Sequence, residues 1–164
     1  MSFNSVAAHS RPRGYTLIEL VLVIVIAGIL ATIAGPRFFD LGVFTQRAYG
    51  DELAAALRSA QKAAVASDCP AQVTVTDSGY TVDQQAAAGN ACDPTDTRWD
   101  TPVVGADGTP VQGKAPAGTV VSPIGSFVFA GSGALSSAPA SQITVGPDTI
   151  RLDTSTGFVQ SGPP

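Results

Sequence analysis

Residues 15–35 read YTLIELVLVIVIAGILATIAG, and this stretch decides the fold. Its 21 residues hold one charged side chain, Glu19. As a helix rising about 1.5 Å per residue they span roughly 31 Å, close to the ~30 Å of a bilayer core. The preceding stretch, MSFNSVAAHSRPRG at 1–14, is short and polar, with Arg11 and Arg13 near its end and no acid. Bases just ahead of an apolar span hold that end in the cytoplasm. The expected topology is therefore a single membrane pass, with the body after Pro36 outside the cytoplasm. A secretory signal peptide would need small residues before a cut at the far end of the run, and Thr32 and Ala34 offer a weak version of that. Neither a signal peptide nor a plain anchor gives Glu19 a purpose. A carboxylate inside such a helix costs about 2.5–3.5 kcal/mol on insertion scales, so it is expected to have a partner or a task.

Outward from this segment, Gly35-Pro36 removes a backbone donor and predicts a bend or a short unwound stretch. Residues 36–67 then read as a second, amphipathic half of the helix. Phe38, Phe39, Leu41, Val43 and Phe44 form a bulky apolar patch, read as core packing and membrane-interface anchoring. Gly42 and Gly50 weaken the helix by about 1 kcal/mol each relative to Ala. From Asp51 the run DELAAALRSAQKAAVAS places Leu53, Leu57, Ala60 and Ala64, with Ala56 and Ala63, on one face at helical spacing. Asp51 and Glu52 near its start and Arg58 and Lys62 nearer its end complement the helix dipole.

The remainder, 68–164, reads as strands and turns. Gln72 to Thr76 alternates, Asp77-Ser78-Gly79 turns, and Tyr80-Thr81-Val82 returns, which predicts a hairpin. Residues 84–118 are rich in Ala, Gly, Asp and Pro and read as an irregular, variable loop. Further strands are expected at 119–122, 126–130, 142–145, 149–153 and 157–160, with turns at Gly146-Pro147-Asp148 and 154–157. The fold class is α+β, a long N-terminal helix packed on an antiparallel sheet.

Composition narrows the chemistry. Removing Arg11 and Arg13 from nine bases leaves seven against 13 acids, a net charge of −6 from Tyr15 onward. Such a body does not suit nucleic acid, whose binding is driven by phosphate neutralisation. The one histidine, His9, lies in the leader, so no His-based metal site or catalytic triad is available beyond it. No phosphate loop, zinc motif or nucleophile elbow is present. The expectation is a protein that is not an enzyme and needs no cofactor and no metal. Cys69 and Cys92 both fall on the non-cytoplasmic side, where thiols are oxidised. A bridge between them would close about two dozen residues and contribute about 3 kcal/mol in the chain-entropy account; free structural thiols are the alternative. Asp93, Asp96, Asp100 and Asp107 surround Trp99, but their spacing matches no compact calcium loop, and a solvated loop is the plainer reading.

Gly14-Tyr15-Thr16-Leu17-Ile18-Glu19-Leu20, with the basic leader before it, resembles the prepilin processing motif of type IV pilins and type II secretion pseudopilins. The family usually has Phe where this chain has Tyr15. The resemblance extends along the hydrophobic helix to Gly35-Pro36. It implies cleavage between Gly14 and Tyr15 by a prepilin peptidase, N-methylation of the new Tyr15 amine, and packing of the helix into a filament core. Cleavage would place an ammonium one helical turn from Glu19, and two opposite charges inside a dry bundle need each other. Glu19 is then a device that penalises wrong axial register.

The run Phe38-Phe39-Asp40, then 51–67, Cys69, Val73 and the ending Thr156-Gly157-Phe158-Val159 resemble minor pilins of the GspH/FimT group, and within it the minor pilin of mannose-sensitive haemagglutinin pilus systems. This implies a minor subunit that helps initiate or cap assembly, with other major and minor pilins or pseudopilins as partners. The alternatives are a minor pseudopilin of a type II secretion system and a tip-located subunit that binds DNA or a surface.

Overall fold

A computed structural model of the chain describes residues 15–34, 41–85, 87–88, 91–92 and 98–162. They divide into two compact units, one ending at Asp40 and one running from Leu41 to Pro164. The first holds helix α1 (Leu17–Ala34). Among the described residues no helix is long and apolar enough to cross a membrane. Tyr15 and Thr16 precede the helix, and Gly35 and Pro36, the expected break, lie outside the described residues.

The second unit opens with α2 (Leu41–Ser67). Its buried face is the one the 3.6-residue spacing indicates. Leu53, Ala56, Leu57, Ala60 and Ala64 are buried, joined by Tyr49 and Ala54, while Ala63 is half-buried. Gly50 weakens the helix without being required by packing, since a Cβ there would make ordinary contact with Val145 Cβ at 3.7 Å. Phe44 is 72% exposed, so it is not packed in a core as the sequence suggested; Phe38 and Phe39 lie outside the described residues. The helix ends at Asp68 in the left-handed conformation, φ 54°, a usual way of closing a last turn.

The fold is α+β as expected, a helix packed on antiparallel strands, and the strands divide between two main sheets. β1 (Ala71–Thr76) and β2 (Gly79–Gln85) make the foreseen hairpin, and β8 (Gly125–Phe129) and β9 (Leu135–Ser137) extend it on the β1 side. The segment read as an irregular loop contributes four strands. β3 (Ala87–Ala88) and β4 (Ala91–Cys92) pair with each other. β5 (Trp99–Pro102) and β6 (Gln112–Lys114) share the free edge of β2, pairing with Asp83–Gln85 and Gly79–Thr81 respectively. The second sheet runs in the order β12 (Val159–Gly162), β11 (Asp148–Leu152), β10 (Gln142–Val145), β7 (Val121–Ser122). Alternation places Val73, Val75, Val82 and Phe127 from one sheet and Ile143, Val145, Ile150 and Leu152 from the other in one core with α2. That core lies wholly between Tyr49 and Val159.

Candidate functional site

The first turn of α1 carries the residues singled out by sequence. Gly14 lies outside the described residues, and Tyr15 precedes the helix with 83% of its surface exposed. Thr16 is the N-cap. Its carbonyl accepts from the Glu19 N–H at 3.1 Å and from the Leu20 N–H at 3.2 Å, and its hydroxyl accepts from the Glu19 N–H at 3.3 Å. Thr16-Leu17-Ile18-Glu19 therefore has the spacing of a capping box, which satisfies donors orphaned at a helix start. Thr16 was missed as a functional residue, although Ser/Thr-x-x-Glu before an apolar run is legible in sequence.

Beyond that turn α1 is apolar on all sides. Every described side chain from Tyr15 to Ala31 is exposed, including Leu20, Leu22, Ile24, Ile29 and Leu30. A helix hydrophobic all round is one whose surroundings are themselves apolar, as in a membrane or a helix bundle. An acid in its first turn also lies at the positive end of the helix dipole.

In the body, α2 holds the strands through side-chain contacts that spacing alone does not reveal. Arg58 donates from Nε and Nη2 to the Val159 carbonyl at 3.3 and 3.2 Å. Gln61 Nε2 donates to the carbonyls of Gly133 and Thr156 at 3.0 and 2.8 Å. Gln84 Nε2 reaches the Ala63 and Cys69 carbonyls, both at 3.3 Å, and the Ser67 hydroxyl. Tyr80 donates to the Glu52 carboxylate at 2.8 Å, and its ring lies 6.1 Å from that of Tyr49. Burial and then that bond to Glu52 push the Tyr80 hydroxyl pKa up, and burial followed by the Glu52 charge raises Tyr49.

Cys69 and Cys92 are joined in a disulfide with their Cα atoms 5.3 Å apart, tying the end of α2 to β4. The described acidic residues of the segment read as a loop, Asp100 and Asp107, each engage a local partner. Asp100 lies 3.9 Å from Arg98, while Asp107 closes its own turn by accepting from the Thr109 N–H and hydroxyl at 3.1 and 2.8 Å. Those bonds hold the Asp107 carboxyl below the usual range. Asp93 and Asp96 lie outside the described residues. No group of three or more His, Cys, Asp or Glu side chains that could hold a metal ion occurs among the described residues. Trp99 is half-buried opposite Gln85.

Comparison with known proteins agrees with this division into a front helix and a body. Residues 9–35 match the prokaryotic N-terminal methylation motif, and residues 50–158 match the family described as type II transport protein GspH. A segment of 50 residues is 58% identical to the type IV narrow pilus major component PilA5 of Thermus thermophilus, covering 30% of this chain and 43% of that protein. The chain thus spans less than half the length of that relative. No solved structure matches. The methylation motif covers the exposed apolar helix with its capped, acid-bearing first turn, and the GspH match covers about two thirds of the chain, from within α2 to the residue before β12. The chain belongs to the GspH family of type IV pilins and pseudopilins.

Proposed function

We propose that this chain is a minor type IV pilin, cut between Gly14 and Tyr15 by a prepilin peptidase, methylated on the Tyr15 amine, and built into a hetero-oligomeric filament whose assembly it initiates or caps. Before assembly it resides in the inner membrane as a single-pass protein, N-terminus cytoplasmic and body periplasmic. The observation that carries this reading is α1 itself. It is an apolar helix exposed on every described side, with one carboxylate, Glu19, in the turn that follows the cut. Buried in a bundle of such helices, that surface would be removed from water or lipid contact, and a charge left alone there would cost several kcal/mol. In the precursor, the Thr16 cap holds the first turn. After cleavage the ammonium at Tyr15 supplies the opposite charge, within one subunit or from a neighbour.

Glu19→Val tests the role of the carboxylate. The variant is expected to insert and be cleaved like the parent while entering filaments poorly. Normal incorporation of Glu19→Val would remove the registry role.

A second reading, a minor pseudopilin of a type II secretion system, is favoured by one finding, the type II transport description of the matching family. The two readings share the N-terminal chemistry and differ in the filament joined. The pilin-like proteins that co-purify with the chain after cross-linking separate them.

A further inference from the structure

An open groove of about 410 Å³ crosses the outward face of the larger sheet where β1, β2 and β6 pair. Small-ligand sites typically occupy roughly 300–1,000 Å³. Three properties of its walls select a ligand. The first is register. Gln112 on β6 stands opposite Thr81 on β2, and Thr81 stands opposite Thr74 on β1. One amide and two hydroxyls therefore form a row across three strands about 4.8 Å apart. The alternation that buries Val73, Val75 and Val82 turns Thr74 and Thr81 to this side.

The second is the floor. In the adjoining row Thr76, Gly79 and Lys114 are opposed in turn. Gly79 has φ +152°, and a Cβ there would run into the carbonyl oxygen of Gly113, so bare backbone lies between Thr76 and Lys114. The Thr76 hydroxyl is already oriented, 3.0 Å from the Gly79 carbonyl and 3.1 Å from Ser78 Oγ. The third is charge. Lys114 is the one cation among the lining residues and no carboxylate is among them, although the chain as a whole carries −4.

We propose that this groove binds a carboxylated oligosaccharide. Hydroxyls and amides both donate and accept, which suits the mixed demands of sugar hydroxyl groups, and the Lys114 ammonium supplies a charge-assisted bond to the carboxylate. The one aromatic residue of the lining, Tyr80, is buried with its hydroxyl on Glu52, so no aromatic face is offered for a sugar ring to stack on and single-site affinity is expected to be weak. The groove adds a ligand to the exposed body of the subunit. Its test uses unassembled protein, so its failure leaves the assembly reading standing, and the converse holds.

Saturation-transfer NMR on the detergent-solubilised full chain, with trigalacturonate as the probe and galactotriose as its neutral counterpart, measures this binding. The expected result is transfer to trigalacturonate at millimolar probe and a weaker signal for galactotriose. Lys114→Gln is expected to raise the dissociation constant for trigalacturonate about tenfold, as for loss of one charge-assisted hydrogen bond. Thr74→Val/Thr81→Val is expected to weaken both sugars; the circular dichroism of each variant, matching the parent, excludes misfolding. No transfer, equal affinity for the neutral sugar, or unchanged affinity in either variant overturns the proposal.

Discussion

Gly157 sits in the left-handed region, φ +68°, directly against the Gly133 carbonyl that Gln61 also contacts. A Cβ at this position would meet that carbonyl and approach the Gln61 amide to 2.6 Å. Gly157→Ala is therefore expected to lose about 1–2 kcal/mol for the left-handed conformation alone. Further loss follows as Gln61 is displaced, and a lowered urea midpoint reads the total. Four residues earlier, Asp153 holds the same turn. Its Oδ1 accepts from the Ser155 hydroxyl at 2.6 Å and from the Thr156 N–H at 2.8 Å. The Ser155 bond first, and then the Thr156 bonds, hold its carboxyl down at about 2, against an ordinary 3.8. A depressed carboxylate stabilises the fold fully above its unfolded pKa and loses that contribution as pH falls through the folded value. Asp153→Asn should thus melt below the parent at pH 5, and the gap should close as the pH is lowered from about 4 to 2. A gap that does not change with pH would mean the charge has no part in the turn.

At the scale of elements, what sequence revealed and what it hid follow one rule. Elements built on a repeating apolar pattern were legible. α2 buries the face its spacing indicates, β10 spans the expected 142–145, and the β1–β2 hairpin forms as expected. Elements that exist because a neighbour offers an edge were not. β5, β6 and β9 are three or four residues long and mostly exposed, so they carry no alternation to detect. They are strands because β2 and β8 present unpaired backbone to them. The same holds for the candidate site. Glu19 stood out as a charge in an apolar run, whereas Gln61 and Gln84 are ordinary polar residues whose importance appears only when distant carbonyls reach them. The disulfide ties such an edge-dependent segment to a well-patterned helix. Reducing it, or replacing both cysteines with Ser, is expected to lower stability by about 3 kcal/mol, as for the release of a loop of roughly two dozen residues. Equal denaturation midpoints with and without reductant would contradict this.

Across the whole molecule, the buried residues and the exposed ones divide the labour. The body gathers one apolar core from Tyr49 to Val159, fastened by α2 to both main sheets, and leaves only scattered large apolar side chains such as Phe44, Val120 and Phe158 exposed among its described residues. The described side chains of α1 put theirs outside. Such a surface is a requirement for apolar neighbours, and identical or related helices are the neighbours the filament reading supplies. Register among them is where a lone carboxylate has its effect, and it has that effect only if an amine is created beside it. The most direct measurement is the intact mass and N-terminal sequence of the chain recovered from assembled filaments. The account predicts a product that begins at Tyr15 and carries one added methyl group. A chain beginning anywhere else would leave Glu19 without its partner and would contradict the account.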